Sequence, residues 1–145
     1  MSSIVVDASV AVKWFVPEIH SDAAATWLDR GYDLLAPDLI FSEVGNIVWK
    51  KIARREIGPH EGRLILRGFA SVPLAAHATR SLLPLAFEIA VGLKRTAYDA
   101  MYLALAVAED SIVVTADRKL YEAVAGSVLR RQIYWVEETA PSSRP

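Results

Sequence analysis

The sequence predicts an α/β fold, an α/β sandwich around a central, largely parallel sheet, and three observations predict it. Short β-branched runs alternate with helical segments along the whole chain. Two of those runs, Ile4-Val5-Val6 and Ile112-Val113-Val114-Thr115, each deliver an aspartate at or just past the carboxyl end, Asp7 and Asp117. The length, 145 residues, suits one compact domain. Helices between the strands fit right-handed crossovers joining parallel neighbours. Residues 1–138 are expected to form that single domain, followed by a Pro- and Ser-rich mobile tail over 139–145.

The elements follow in order. Ile4-Val5-Val6 reads as a buried strand stopped by Asp7, and residues 8–16 as a short helix ended by Pro17. Ser21 is expected to cap a helix through Arg30, which Gly31 stops. Residues 33–36 are a strand of low β-propensity, and Pro37-Asp38 opens a helix over 39–55 that Gly58-Pro59 breaks. A helix over 60–69 follows, then a strand over 72–76 that Pro73 confines to a sheet edge. Helices are expected over 82–93 and 97–109, a strand over 112–115, a helix over 118–125 and a last strand over 133–136.

Composition excludes several function classes. The chain is 53% hydrophobic and 23% charged, which is incompatible with a disordered chain and implies a filled core. A net charge of -1 argues against a broad cationic grip on nucleic acid. With no cysteine there are no disulfides, no Cys-zinc sites and no thiol nucleophile. The longest apolar run, residues 100–108, is about half of what a spanning helix needs. No cationic stretch precedes the N-terminal apolar run, so no signal peptide is expected, and the reading is a soluble cytoplasmic protein without a membrane partner. His20, His60 and His77 lack metal-ligand spacing. No glycine-rich nucleotide loop is present. Trp14, Trp27, Trp49 and Trp135 read as core or interface anchors. Lys50-Lys51, Arg54-Arg55 and Arg130-Arg131 read as solvated faces that also suit RNA phosphates.

Four of the 17 acids do not fit their surroundings: Asp7, Glu43, Asp99 and Asp117. Glu43 lies beside the apolar face of its helix, one turn from Ile40 and Ile47. Asp99 opens a helix apolar almost all round. Each has an ordinary explanation. Asp7 and Asp117 suit caps of the following helices, Thr96 to Asp99 suits a capping box, and Glu43 suits a pair with Lys50 or Lys51. If the four converge, physics requires neutralisation. Two carboxylates about 5–6 Å apart repel by roughly 3 kcal/mol at a dielectric near 20. Four together would exceed the ~5–15 kcal/mol that holds a domain folded, so protons or a cation must intervene. Oxygen ligands without His or Cys favour Mg²⁺ or Mn²⁺, ions suited to phosphodiester cleavage.

Four ordered segments resemble PIN-domain proteins, and VapC-type toxins of toxin–antitoxin pairs in particular. They are Ile4-Val5-Val6-Asp7-Ala8-Ser9-Val10-Ala11-Val12-Lys13-Trp14, Pro37-Asp38-Leu39 with Glu43-Val44-Gly45-Asn46, Thr96-Ala97-Tyr98-Asp99-Ala100-Met101-Tyr102-Leu103-Ala104-Leu105-Ala106, and Val114-Thr115-Ala116-Asp117-Arg118-Lys119-Leu120. The resemblance implies a three-layer α/β/α PIN-like fold and a Mg²⁺- or Mn²⁺-dependent endoribonuclease that cuts RNA. It implies a homodimer and a cognate VapB-type antitoxin as partners. Asp7, Glu43, Asp99 and Asp117 match the family's acidic quartet, catalytic and metal-holding, and Ser9 and Thr115 match polar positions beside it. Residues 58–93 match least.

Two other readings stay open. A receiver-like, Mg-binding phosphoacceptor module has a similar size and places aspartates at strand ends. It needs paired acids after an early strand and a lysine after the last, where this chain has Asp7 alone and Glu137-Glu138. A non-catalytic PIN-like binding partner would keep the shape without the reaction. An Asp-x-Asp phosphatase is excluded because Ser9 holds the second acidic position.

Overall fold

Residues 3–139 are described by the structure, a computed structural model. The expected tail beyond Thr139 lies outside the described residues. Five strands form one sheet in the order β3-β2-β1-β4-β5, and every pairing is parallel. They are β1 (Ser3–Val6), β2 (Asp33–Pro37), β3 (Leu74–His77), β4 (Val113–Thr115) and β5 (Ile133–Trp135). Seven α-helices connect them: α1 (Ala8–Ala11), α2 (Ser21–Asp29), α3 (Leu39–Ala53), α4 (Pro59–Ala70), α5 (Thr79–Leu93), α6 (Ala97–Ala108) and α7 (Arg118–Ala125).

Burial of the central strands establishes the three layers. Successive strand residues face opposite sides of a sheet. Ile4, Val5 and Val6 of β1 and Val113, Val114 and Thr115 of β4 are all buried, so helices cover both faces. The chain leaves β1 toward β2 and β3, then returns to the other side of β1 as β4. The order therefore reverses between β1 and β4, and ligands of open parallel sheets bind at the carboxyl ends beside such a reversal. Asp7 and Asp117 sit there.

Helix α6 is the central pillar. Residues Ala100 through Ala106 are all buried, as expected of a helix apolar on every side, and α6 packs on β1, β2, β4 and α5. Two of the tryptophans are core: Trp27 is buried, with its indole N–H donated to the Val136 carbonyl at 2.8 Å, and Trp135 is buried under Arg118. Trp14 is half-buried, and Trp49 is exposed.

Several boundaries differ from the sequence reading, each for a local reason. The segment over 8–16 is α1 followed by a tighter 3-10 turn, Val12–Trp14. Ser21 does not cap α2. Its hydroxyl accepts from the Glu18 N–H and donates to the Val16 carbonyl, bracing the loop, while His20 holds the cap position in a left-handed conformation. Strand β2 has low β-propensity but lies between β1 and β3, where burial of Leu34, Leu35 and Ala36 overrides propensity. Strand β3 is the expected edge, beginning just after Pro73 and running to His77. Helix α5 starts at Thr79 rather than Leu82 and carries Pro84 inside it. Its first-turn N–H, at Thr79, is taken by the Asp38 carboxylate at 3.2 Å, a tertiary cap that no local reading finds. Helix α3 ends at Ala53, and β4 and β5 are each one residue shorter than expected.

No helix among the described residues is long and apolar enough to cross a membrane. Leu103 of α6 is 0% exposed. Its replacement in Leu103→Ala is expected to cost about 3 kcal/mol, read as a lower urea midpoint with an unchanged slope.

Candidate active site

Asp7 ends β1 and caps α1, and its carboxylate is held on both oxygens. Oδ1 accepts from the Ser9 hydroxyl at 2.6 Å and from the Val10 N–H at 3.1 Å, and Oδ2 accepts from the Thr115 hydroxyl at 2.5 Å. Parallel pairing of Val5 with Val113 and Val6 with Val114 brings the residues after them, Asp7 and Thr115, side by side. Each hydroxyl also accepts a backbone N–H from the turn after β4. Ser9 accepts from Ala116 and Thr115 from Asp117, both at 3.0 Å. An N–H can only donate, so each hydroxyl has its single proton free for Asp7. The two side chains thus tie the end of β1 to the end of β4 through one carboxylate.

Asp7 is 5% exposed, and burial pushes its carboxyl up to about 6. The three hydrogen bonds oppose that rise without cancelling it, and the Asp117 charge adds to it. Asp117 caps α7, accepting from the N–H groups of Lys119 and Leu120 at 3.0 and 3.2 Å. The capping explanation is therefore real for both aspartates, and it coexists with their electrostatic coupling.

The second half of the site lies between α3 and α6. Glu43 accepts from the Tyr102 hydroxyl at 2.5 Å and does not pair with Lys50 or Lys51. Lys51 is committed to Glu18 at 2.8 Å and Glu56 at 3.5 Å, which also removes it from the cations available to RNA. Burial raises the Glu43 carboxyl, the Tyr102 bond lowers it, and the charge of Asp99 raises it again. Tyr102 is itself driven upward by burial and by Glu43, Asp7 and Asp99, so it stays a phenol and a donor. Asp99 makes half of the expected capping box: its backbone N–H donates to the Thr96 hydroxyl at 3.1 Å, while its carboxylate takes two donors from Arg95, at 3.2 and 2.9 Å, both on Oδ2.

The four acids form two coupled pairs, Asp7 with Asp117 and Glu43 with Asp99, and Tyr102 feels both. Among the described residues no three His, Asp or Glu side chains stand close enough to grip one ion. Burial raises the affinity of Asp7 for a proton, a phenol donates to Glu43, and a guanidinium neutralises Asp99. Tyr102 and Arg95 escaped the sequence reading. Tyr102 lies within a run that reads as apolar, and only its i+3 spacing from Asp99 sets it apart. A concavity of about 500 Å³ lies elsewhere, lined by Pro17, Glu18, His20, Ser21 and Glu137. It lacks the buried carboxylate that marks the strand-end site.

Several known proteins are similar to this chain. Residues 4–126 match the PIN domain family model. Ribonuclease VapC3 of Pyrobaculum aerophilum is 33% identical over 121 residues, covering 82% of this chain and 92% of that protein. Ribonuclease VapC9 of Mycobacterium tuberculosis is 32% identical over 117 residues, covering 81% and 87%. Among solved structures, a Pyrobaculum aerophilum protein superposes with a TM-score of 0.65 at 24% identity, over 94% of this chain and 85% of that one. VapC20 of Mycobacterium tuberculosis, a sarcin-ricin loop cleaving toxin, does so with a TM-score of 0.64 at 17% identity, over 88% and 98%.

The raised Asp7 carboxyl has a measurable consequence. Below its unfolded value of 3.8 both states are protonated; between there and about 6 only the folded state keeps the proton. The contribution of Asp7 to stability therefore falls as pH rises through that window, by about 3 kcal/mol in total. In chelator, Asp7→Asn is expected to melt above the wild type at pH 8, with the gap closing toward pH 4, as followed by circular dichroism.

Proposed function

The chain belongs to the PIN-domain family, and from that premise we propose that it is a VapC-type endoribonuclease, the toxin of a toxin–antitoxin pair, dependent on Mg²⁺ or Mn²⁺. The observation that carries this reading is the Asp7 carboxylate, buried at the β1–β4 reversal and clamped on both oxygens. A buried, oriented acid coupled to further acids suits cation binding and is costly for stability alone. Its surroundings are carboxylate and hydroxyl oxygens without His or Cys, which suits a hard divalent ion.

Asp7 and Asp99 are the proposed principal ligands, and Glu43 and Asp117 complete the negative pocket directly or through water. When bound, the ion supplies a water of lowered pKa and positive charge against the leaving oxygen. Ser9 and Thr115 fix the direction in which Asp7 presents its oxygens. Tyr102 fixes Glu43 in the same way. Asp117, anchored by two N–H groups at the head of α7, stands beside Asp7. The substrate is RNA, whose phosphates such a pocket accepts only with the cation in place. A VapB-type antitoxin, a homodimeric assembly and a cytoplasmic setting complete the proposal, and they rest on the family.

The test is cleavage of a labelled RNA with Mg²⁺ or Mn²⁺, with and without chelator. Asp7→Asn and Asp99→Asn keep the side-chain shape and remove the charge. Each is expected to lower the rate by roughly 100-fold or more, and chelator to abolish it. Cleavage at the wild-type rate by both variants would refute the assignment.

A further inference from the structure

We propose that Arg95 is a built-in counter-ion of Asp99. It holds this carboxylate in the cation-free protein and gives it up when a divalent ion binds, so guanidinium and ion compete for one side chain. The inference rests on the reading of Asp99 as a ligand.

Three observations carry it. First, Arg95 is, among the described residues, the one basic side chain within ion-pair distance of any of the four acids. Second, the pair is partly shielded, with side chains 25% and 24% exposed, and its two N–H groups at 3.2 and 2.9 Å converge on one oxygen, Oδ2. Convergence on a single atom is the arrangement of a point neutraliser rather than of a fork that orients both oxygens. Third, the backbone around Arg95 is pinned. Lys94 holds a left-handed conformation at φ 55, the Arg95 N–H donates to the Ala90 carbonyl at 3.2 Å, and Thr96 caps α6. The loop therefore stays, and only the long side chain is free to swing away, at the cost of one partly exposed ion pair.

Competition sets the sign of a measurable effect. Two cations drawn to one carboxylate repel each other, so removing the guanidinium favours the ion. A supporting role, with Arg95 steadying Oδ2 while an ion takes Oδ1, has the opposite sign.

Mn²⁺ binding to the full chain, measured by calorimetry at pH 7.5, separates the two. Arg95→Gln is expected to bind Mn²⁺ about fivefold more tightly than wild type, with Arg95→Lys between them. Unchanged or weaker binding by Arg95→Gln overturns the inference. Asp99→Asn separates this from failure of the site itself. If it binds Mn²⁺ as wild type does, Asp99 is not a ligand, and both the inference and that assignment fall. If it loses Mn²⁺ while Arg95→Gln gains nothing, the inference falls and the nuclease reading stands. In the wild type, Mg²⁺ titration is expected to shift the Arg95 Nε–H resonance as the pair opens, and a resonance that stays in place while Mg²⁺ binds also overturns it.

Discussion

The burial of one carboxyl group governs this molecule. Asp7 lies where the strand order reverses, and an acid removed from water there is tolerable only with donors on its oxygens. Two of those donors come from the two sides of the β1–β4 seam at its carboxyl end, Ser9 after β1 and Thr115 closing β4, and both also receive a backbone N–H from the turn that leads to Asp117. The position of Asp117, the start of α7 and the closure of the central seam are thereby referred to a single side chain. A fold optimised for stability alone would place an apolar residue at this point. An acid held there, with burial raising its affinity for protons, is what the proposed cation site rests on.

Helix α6 does for the second half of the pocket what the β1–β4 seam does for the first. Its apolar body leaves it no freedom to rotate, because every direction is occupied by sheet or helix. Its few polar atoms are consequently delivered to fixed places: Asp99 toward Arg95, and Tyr102 onto Glu43. The acids are stabilised by hydroxyl and N–H donors on Asp7, a phenol on Glu43 and a guanidinium on Asp99, contacts of different strength and reach. These contacts temper the mutual repulsion of the acids while leaving the pocket negative, as the proposed divalent ion requires.

Much of this was legible in the chain itself. The β-branched runs and their trailing aspartates marked β1 and β4, and the apolar surround of Asp99 and Glu43 marked both as unusual. The four ordered segments implied the family to which the chain belongs. What escaped was whatever depends on partners distant in sequence. The start of α5 is capped by Asp38, 41 residues away. The ordinary explanation of Glu43, a pair with Lys50 or Lys51, fails because Glu18 claims Lys51 from another loop and Tyr102 claims Glu43 from α6. Composition identified acids that needed neutralising, and only geometry says which atom neutralises which.

The seam that clamps Asp7 joins residues separated by 108 positions. Loop closure over such a distance is slow and comes late, after local helices have formed. On a growing chain Asp7 emerges from the ribosome before Thr115, Ala116 and Asp117. The pocket is thus incomplete on any chain that stops short of Thr115, where Asp7 has only its local donors, Ser9 and Val10.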